Sequence, residues 1–214
     1  MAEAQIEIPG DEAHLEAFVA CPDGPGPSPP VLLLGAPAGF PLQVQRLARR
    51  LSAQGYYVLA PDWCARRALD RREDAEAWFD HLAADRRTDD ARVAVLGFGE
   101  GADLALRLAA WRAERIAAVA AFGGQGLGAA AAADVAQRLN AVIRVGYPIG
   151  RPSARIGVLE TALALAGADF EVEIYEDQPD WAGLLDLLAR TLRPPPAPAI
   201  AARIAPGSTD GRPI

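Results

Sequence analysis

The chain has 214 residues, of which 51% are hydrophobic and 23% charged, with a formal net charge of −7; this suits a globular α/β core and lacks the basic patch that a nucleic-acid surface requires. All 21 basic residues are arginine, so Schiff-base catalysis, pyridoxal attachment and a Walker-type phosphate lysine are excluded. Cys21 and Cys64 are far apart with no metal-ligand spacing, Met1 to Gly10 is polar and acidic rather than a basic then apolar leader, and no apolar run reaches the ~18 to 20 residues of a membrane span. The expectation is a cytoplasmic protein with no membrane segment, metal or cofactor.

In chain order, residues 5–8 and 15–20 form a hairpin candidate, and the Pro- and Gly-rich segment 22–30 leads into Val31-Leu-Leu-Leu34. That run is short, unbroken and bounded by breakers, as a strand buried on both faces should be. A helix is expected near 42–54, a strand at 56–60, a helix near 72–84 and a strand at 92–96. The second half continues with a helix from 100 to about 113, a strand at 116–122, an Ala-rich helix near 130–139 and a strand at 141–145. A helix at 153–166, a strand at 170–175 and a helix at 181–192 complete the pattern. Such alternation implies a doubly wound, mostly parallel sheet flanked by helices, with its ligand crevice at the carboxyl ends of the strands. One domain is expected over residues 1–193, followed by a Pro-rich, disordered or extended tail over 194–214.

The most informative stretch is Val93-Ala-Val-Leu-Gly-Phe-Gly-Glu-Gly-Ala102. It reads as a strand entering a sharp turn and a helix, the frame in which hydrolases mount a nucleophile between small residues. The central position is Gly99, which can make the turn and has nothing to attack with.

Four ordered pieces resemble the dienelactone hydrolase family of the α/β-hydrolase fold: Val31-Leu-Leu-Leu-Gly-Ala-Pro-Ala-Gly39, Leu47-Ala-Arg-Arg-Leu-Ser-Ala-Gln-Gly-Tyr-Tyr-Val-Leu-Ala-Pro-Asp62, Arg92-Val-Ala-Val-Leu-Gly-Phe-Gly-Glu-Gly101 and Phe170-Glu-Val-Glu-Ile-Tyr175. The resemblance implies a site made of an elbow Cys or Ser, an acid after the following strand and a His shortly after the last strand. In this chain Gly99 holds the first place, and Val145-Gly-Tyr-Pro-Ile-Gly-Arg-Pro152 has no carboxylate where the acid is expected. Asp180 stands about where the His would be, while His14 and His81 both precede the elbow. The family's first loop resembles His-Glu-x-x-Gly, so Pro37, which has no N–H, falls where a backbone oxyanion donor is expected. Losing one such donor costs ~100- to 1000-fold in turnover. The Glu100 amide remains as a donor.

Glu100, Asp180 and Asp177 could converge as carboxylates for acid–base chemistry. The simpler reading makes Glu100 a helix-opening acid and Asp180 an N-cap of the helix at Trp181. Cys64 is most simply an inert buried thiol, His81 a helix-surface or boundary residue and His14 a turn residue. Residues 97–101 are not a dinucleotide loop, because Ala102 replaces the third glycine and no acid follows the next strand, which ends Ala120-Ala-Phe-Gly-Gly-Gln125. The expectation is a dienelactone-hydrolase-like protein without triad hydrolysis, binding a small apolar ligand through Pro37, Trp63, Gly99, Glu100, Tyr147 and Trp181, or binding a protein partner. The alternatives are an ester or lactone hydrolase, cyclase or isomerase using Glu100 and Asp180, and a structural subunit docking through the Ala-rich helix or the tail.

Overall fold

The computed structural model of the chain describes residues 1–10, 14–24, 26–35, 42–63, 72–150 and 154–192. Among these, eight strands form one sheet: β1 Ala2–Ile8, β2 Leu15–Cys21, β3 Pro30–Leu34, β4 Tyr57–Pro61, β5 Val93–Phe98, β6 Ile116–Phe122, β7 Val142–Pro148 and β8 Phe170–Tyr175. Their spatial order is β1-β2-β4-β3-β5-β6-β7-β8. β1 and β2 make the antiparallel hairpin, β2 joins β4 antiparallel, and every other pair is parallel. The architecture is the α/β-hydrolase-like one that the alternation of segments implies. Pro37, Cys64 and the tail from Pro194 lie outside the described residues.

Six helices cover the sheet: α1 Leu42–Ser52, α2 Arg72–Ala84, α3 Glu100–Trp111, α4 Ala129–Arg138, α5 Ala154–Leu165 and α6 Trp181–Leu192. Strand parity sorts the core into two layers. Leu32, Leu34, Val93 and Val95 pack with α2 to α5, whereas Val31, Leu33, Ala94 and Leu96 pack with α1 and α6. Covering both faces is why residues 31–34 read as one unbroken apolar run.

From β3 the chain moves to β4 on one side and then crosses back to β5 on the other. Strand order reverses between β3 and β5, and the crevice outside their carboxyl ends is where open α/β sheets bind ligands. β5 runs two residues beyond the expected 92–96, to Phe98. Gly99 therefore sits directly at the strand end, at this switch point.

Candidate functional site

β5 and α3 meet at Gly99 with φ 60° and ψ −124°, a conformation that L side chains adopt only under strain. Its neighbours explain how the turn closes. A Cβ on Gly97 would overlap the backbone of Gly101, and a Cβ on Gly101 would overlap the carbonyl of Leu34. Glycine at both positions lets α3 press against the ends of β3 and β5. Gly99 differs, because no atom of the described residues lies within 4 Å of where its Cβ would be; among them, only its backbone angle favours glycine there.

The Gly99 N–H donates to the Phe122 carbonyl at 2.9 Å, and the Gly99 carbonyl accepts from Ala102 at 3.1 Å. The amides of Glu100 and Gly101 begin the helix and have no acceptor within it, and the positive end of the helix dipole reinforces them. The side chain of Glu100 is exposed.

Around this turn, Trp63 is buried and donates its Nε1–H to the Gly35 carbonyl at 2.9 Å, which fixes the end of β3. Phe98, Phe122 and Tyr175 form an aromatic row, with centroids 5.4 Å apart for the first pair and 6.4 Å for the second, the latter edge-on. Gly146 permits the row, since a Cβ there would overlap the Phe122 ring and lie 3.2 Å from Tyr175 Cε1. The Tyr175 hydroxyl is 3.3 Å from the Cβ position of Gly123, the residue after the carbonyl that holds Gly99. Sequence reasoning missed Tyr175; the signal was Gly146, which the sheet register sets beside Phe122.

At the next helix-opening turn, Asp180 accepts the amides of Ala182 and Gly183, each at 3.0 Å, on its two carboxylate oxygens. It is an N-cap. The same carboxylate lies 3.3 Å from Arg144, which also pairs with Glu171 at 2.9 Å and Glu173 at 3.0 Å. Arg144 is only 12% exposed and ties β7, β8 and α6 together; solvent screens its pairs with the half-exposed Glu171 and Asp180 more than that with Glu173. Asp177 is exposed, and among the described residues no hydrogen bond joins it, Asp180 and Glu100.

Tyr147 is buried, and its phenol is pushed up to about 12 by that burial, with the charges of Glu160 and Asp103 adding to it. The cavity beside it, walled by Asp103, Tyr147 and Leu159, measures about 10 Å³, room for one water. Burial raises the Asp103 carboxyl, while the Gly126 amide at 3.2 Å and the Gln125 amide act against that rise; the carboxyl thereby holds the loop after β6 against α3.

Of the expected ligand residues, Trp63 and Tyr147 belong to the layer under α2 to α5, whereas Trp181 packs into the opposite layer with the Arg50 guanidinium 4.0 Å over its ring. The three are not brought together. His81 lies 3.4 Å from the hydroxyl of Tyr57, which opens β4 at the far edge of the sheet, and His14 is exposed. No group of three or more His, Cys, Asp or Glu side chains among the described residues is arranged to hold a metal, and no described helix is long and apolar enough to cross a membrane.

The sequence profile of the dienelactone hydrolase family matches residues 15–179. The chain belongs to that family. A Yersinia pestis protein assigned provisionally as a carboxymethylenebutenolidase is 29% identical over 206 residues, covering 82% of this chain and 76% of its own length. The crystal structure of a dienelactone hydrolase from Anabaena variabilis superimposes with a TM-score of 0.70 at 19% identity, over 90% of this chain and 99% of that one. A Klebsiella pneumoniae protein assigned provisionally as a dienelactone hydrolase gives 0.73 at 21% identity, over 88% and 95%. At these identities the superpositions establish the fold.

Proposed function

We propose that this member of the dienelactone hydrolase family binds a small apolar or weakly polar molecule over the β5–α3 turn and does not hydrolyse esters through a nucleophile, acid and histidine. The observation that carries the reading is Gly99, which holds an elbow-like backbone, with no atom of the described residues within 4 Å of its Cβ position and no side chain to attack with. Acyl transfer also needs a base and oxyanion donors. Asp180, near the place of the family's histidine, serves α6 and Arg144 instead.

The groups left at the turn suit binding. The amides of Glu100 and Gly101 can donate to a carbonyl or carboxylate oxygen, and the half-buried Phe98, backed from the core by Phe122, supplies an apolar surface. Trp63 steadies the end of β3. The proposal includes a cytoplasmic setting, supported by the free, buried thiol of Cys21.

The test is hydrolysis of p-nitrophenyl acetate and of a dienelactone by purified protein, beside thermal shift with small aromatic carboxylates. The expected result is turnover no faster than a denatured control and a raised melting temperature with a fitting carboxylate. Turnover that survives purification and disappears in Glu100→Gln or Asp180→Asn would overturn the proposal and establish carboxylate catalysis.

A further inference from the structure

We propose that the flank formed by β8, α5 and α4 is the contact surface of a two-fold dimer, its occupant a second copy of this chain. Among the described residues, the exposed large apolar side chains are Met1, Leu42, Ile149, Leu165, Val172 and Ile174. The last four lie along or beside this flank, Ile149 and Ile174 toward its carboxyl end and Leu165 toward its amino end, with Leu165 85% exposed and Ile174 72%. Such clustering marks an interaction site, whereas scattered single residues would not.

The elements explain why the flank is unfinished in one copy. β8 ends the sheet, so one row of its N–H and C=O groups has no strand beside it. Val172 and Ile174 share parity with Phe170, which packs into the α2 to α5 layer, so they face the α5 side and stay uncovered. α5 is rich in apolar residues, with Arg155, Glu160 and Thr161 as its polar ones, and Leu165 at its end stays exposed. Leu159 and Leu163 turn to the sheet, while Val158, Ala162 and Leu165 line a cavity of about 630 Å³ shared with Ala133 of α4.

Self-complementarity selects a second copy as the occupant. An edge strand can pair antiparallel with its own two-fold mate, so one sequence supplies both halves of the ladder. The projecting Leu165 and the small-residue groove beside it likewise give each copy both a knob and a hole. Glu171 and Glu173, which would otherwise guard the edge, are paired with Arg144 and Arg190. Paired in this way, the two glutamates do less to keep a second strand edge away.

The experiment is sedimentation equilibrium of the full chain across the micromolar range. A concentration-dependent monomer–dimer transition is expected, weakened by roughly 30-fold or more in Leu165→Glu and in Ile174→Arg, as loss of a central apolar anchor should do. Both positions lie outside the core, so circular dichroism should be unchanged. Leu42→Glu, at an exposed position on α1 across the sheet, should leave the transition in place. A monomer at every concentration, or a dimer that survives both flank substitutions unweakened, would overturn the proposal.

Discussion

The turns after β5 and β8 both open a helix at the carboxyl edge of the same sheet, yet they are built by opposite means. After β5, Gly97 and Gly101 let backbones touch and Gly99 supplies the angle, with no side-chain hydrogen bond capping α3. After β8, one side chain organises the turn, because Asp180 caps α6 and anchors Arg144. The difference separates shape from chemistry. At the first turn glycine backbone alone sets the geometry, and at the second a carboxylate near the place of the family's histidine caps a helix and pairs with an arginine.

The comparison is broken most sharply at the close approaches. Gly101→Ala forces a Cβ onto the Leu34 carbonyl, a backbone atom that cannot swing aside, and should cost about 3 kcal/mol or more by urea denaturation. Parental stability would mean that α3 does not press on β3. Gly99→Ser should cost less, about 1–2 kcal/mol, because the angle is unfavourable while space is free. If the two substitutions ranked the other way, the division between packed and open glycines would be wrong. Asp180→Ala should cost about 1 kcal/mol through the lost cap, with Asp180→Asn milder because Asn also caps. Equal stability in all three proteins would remove Asp180 from the account of the second turn.

The smallest effect lies at the opposite edge of the sheet, where His81 and Asp85 make stability depend on pH. Burial lowers the His81 pKa from 6.5, so the folded state prefers the neutral ring. That contribution is complete above pH 6.5 and is lost as pH falls through the lower folded value. Asp85 is held well below the usual carboxylate range, first by its hydrogen bonds from Arg87. Its contribution is present above 3.8 and fades only in stronger acid; Asp103, with a raised pKa, acts with the opposite sign. Urea midpoints should fall in two steps on acidification, and His81→Gln should abolish the upper step alone.

Much of this was legible in the chain. α2, β6, β8 and α6 occupy the expected residues 72–84, 116–122, 170–175 and 181–192, because Pro, Gly and apolar periodicity mark their ends. The cap at Asp180 was readable from an aspartate just ahead of a helix. Arg144 was not, since its partners lie 27, 29 and 36 residues further on and meet it only through β7–β8 pairing and the packing of α6. The same limit applies to Trp63, Tyr147 and Trp181. Trp63 and Tyr147 fall on the face under α2 to α5, whereas Trp181 opens α6, which covers the other face, and which face a helix covers has no meaning until the sheet is assembled.

The central claim is that the β5–α3 turn retains shape without chemistry, and Gly99→Ser tests it most directly when assayed for esterase turnover beside Gly99→Cys and the parent. A hydroxyl at that position would have the Glu100 and Gly101 amides nearby but no histidine after β8 to take its proton. The expected result is that all three proteins fold and none hydrolyses p-nitrophenyl acetate above the denatured control. Substantial turnover in Gly99→Ser would contradict the account, since it would reveal a working general base beside a turn described here as having none.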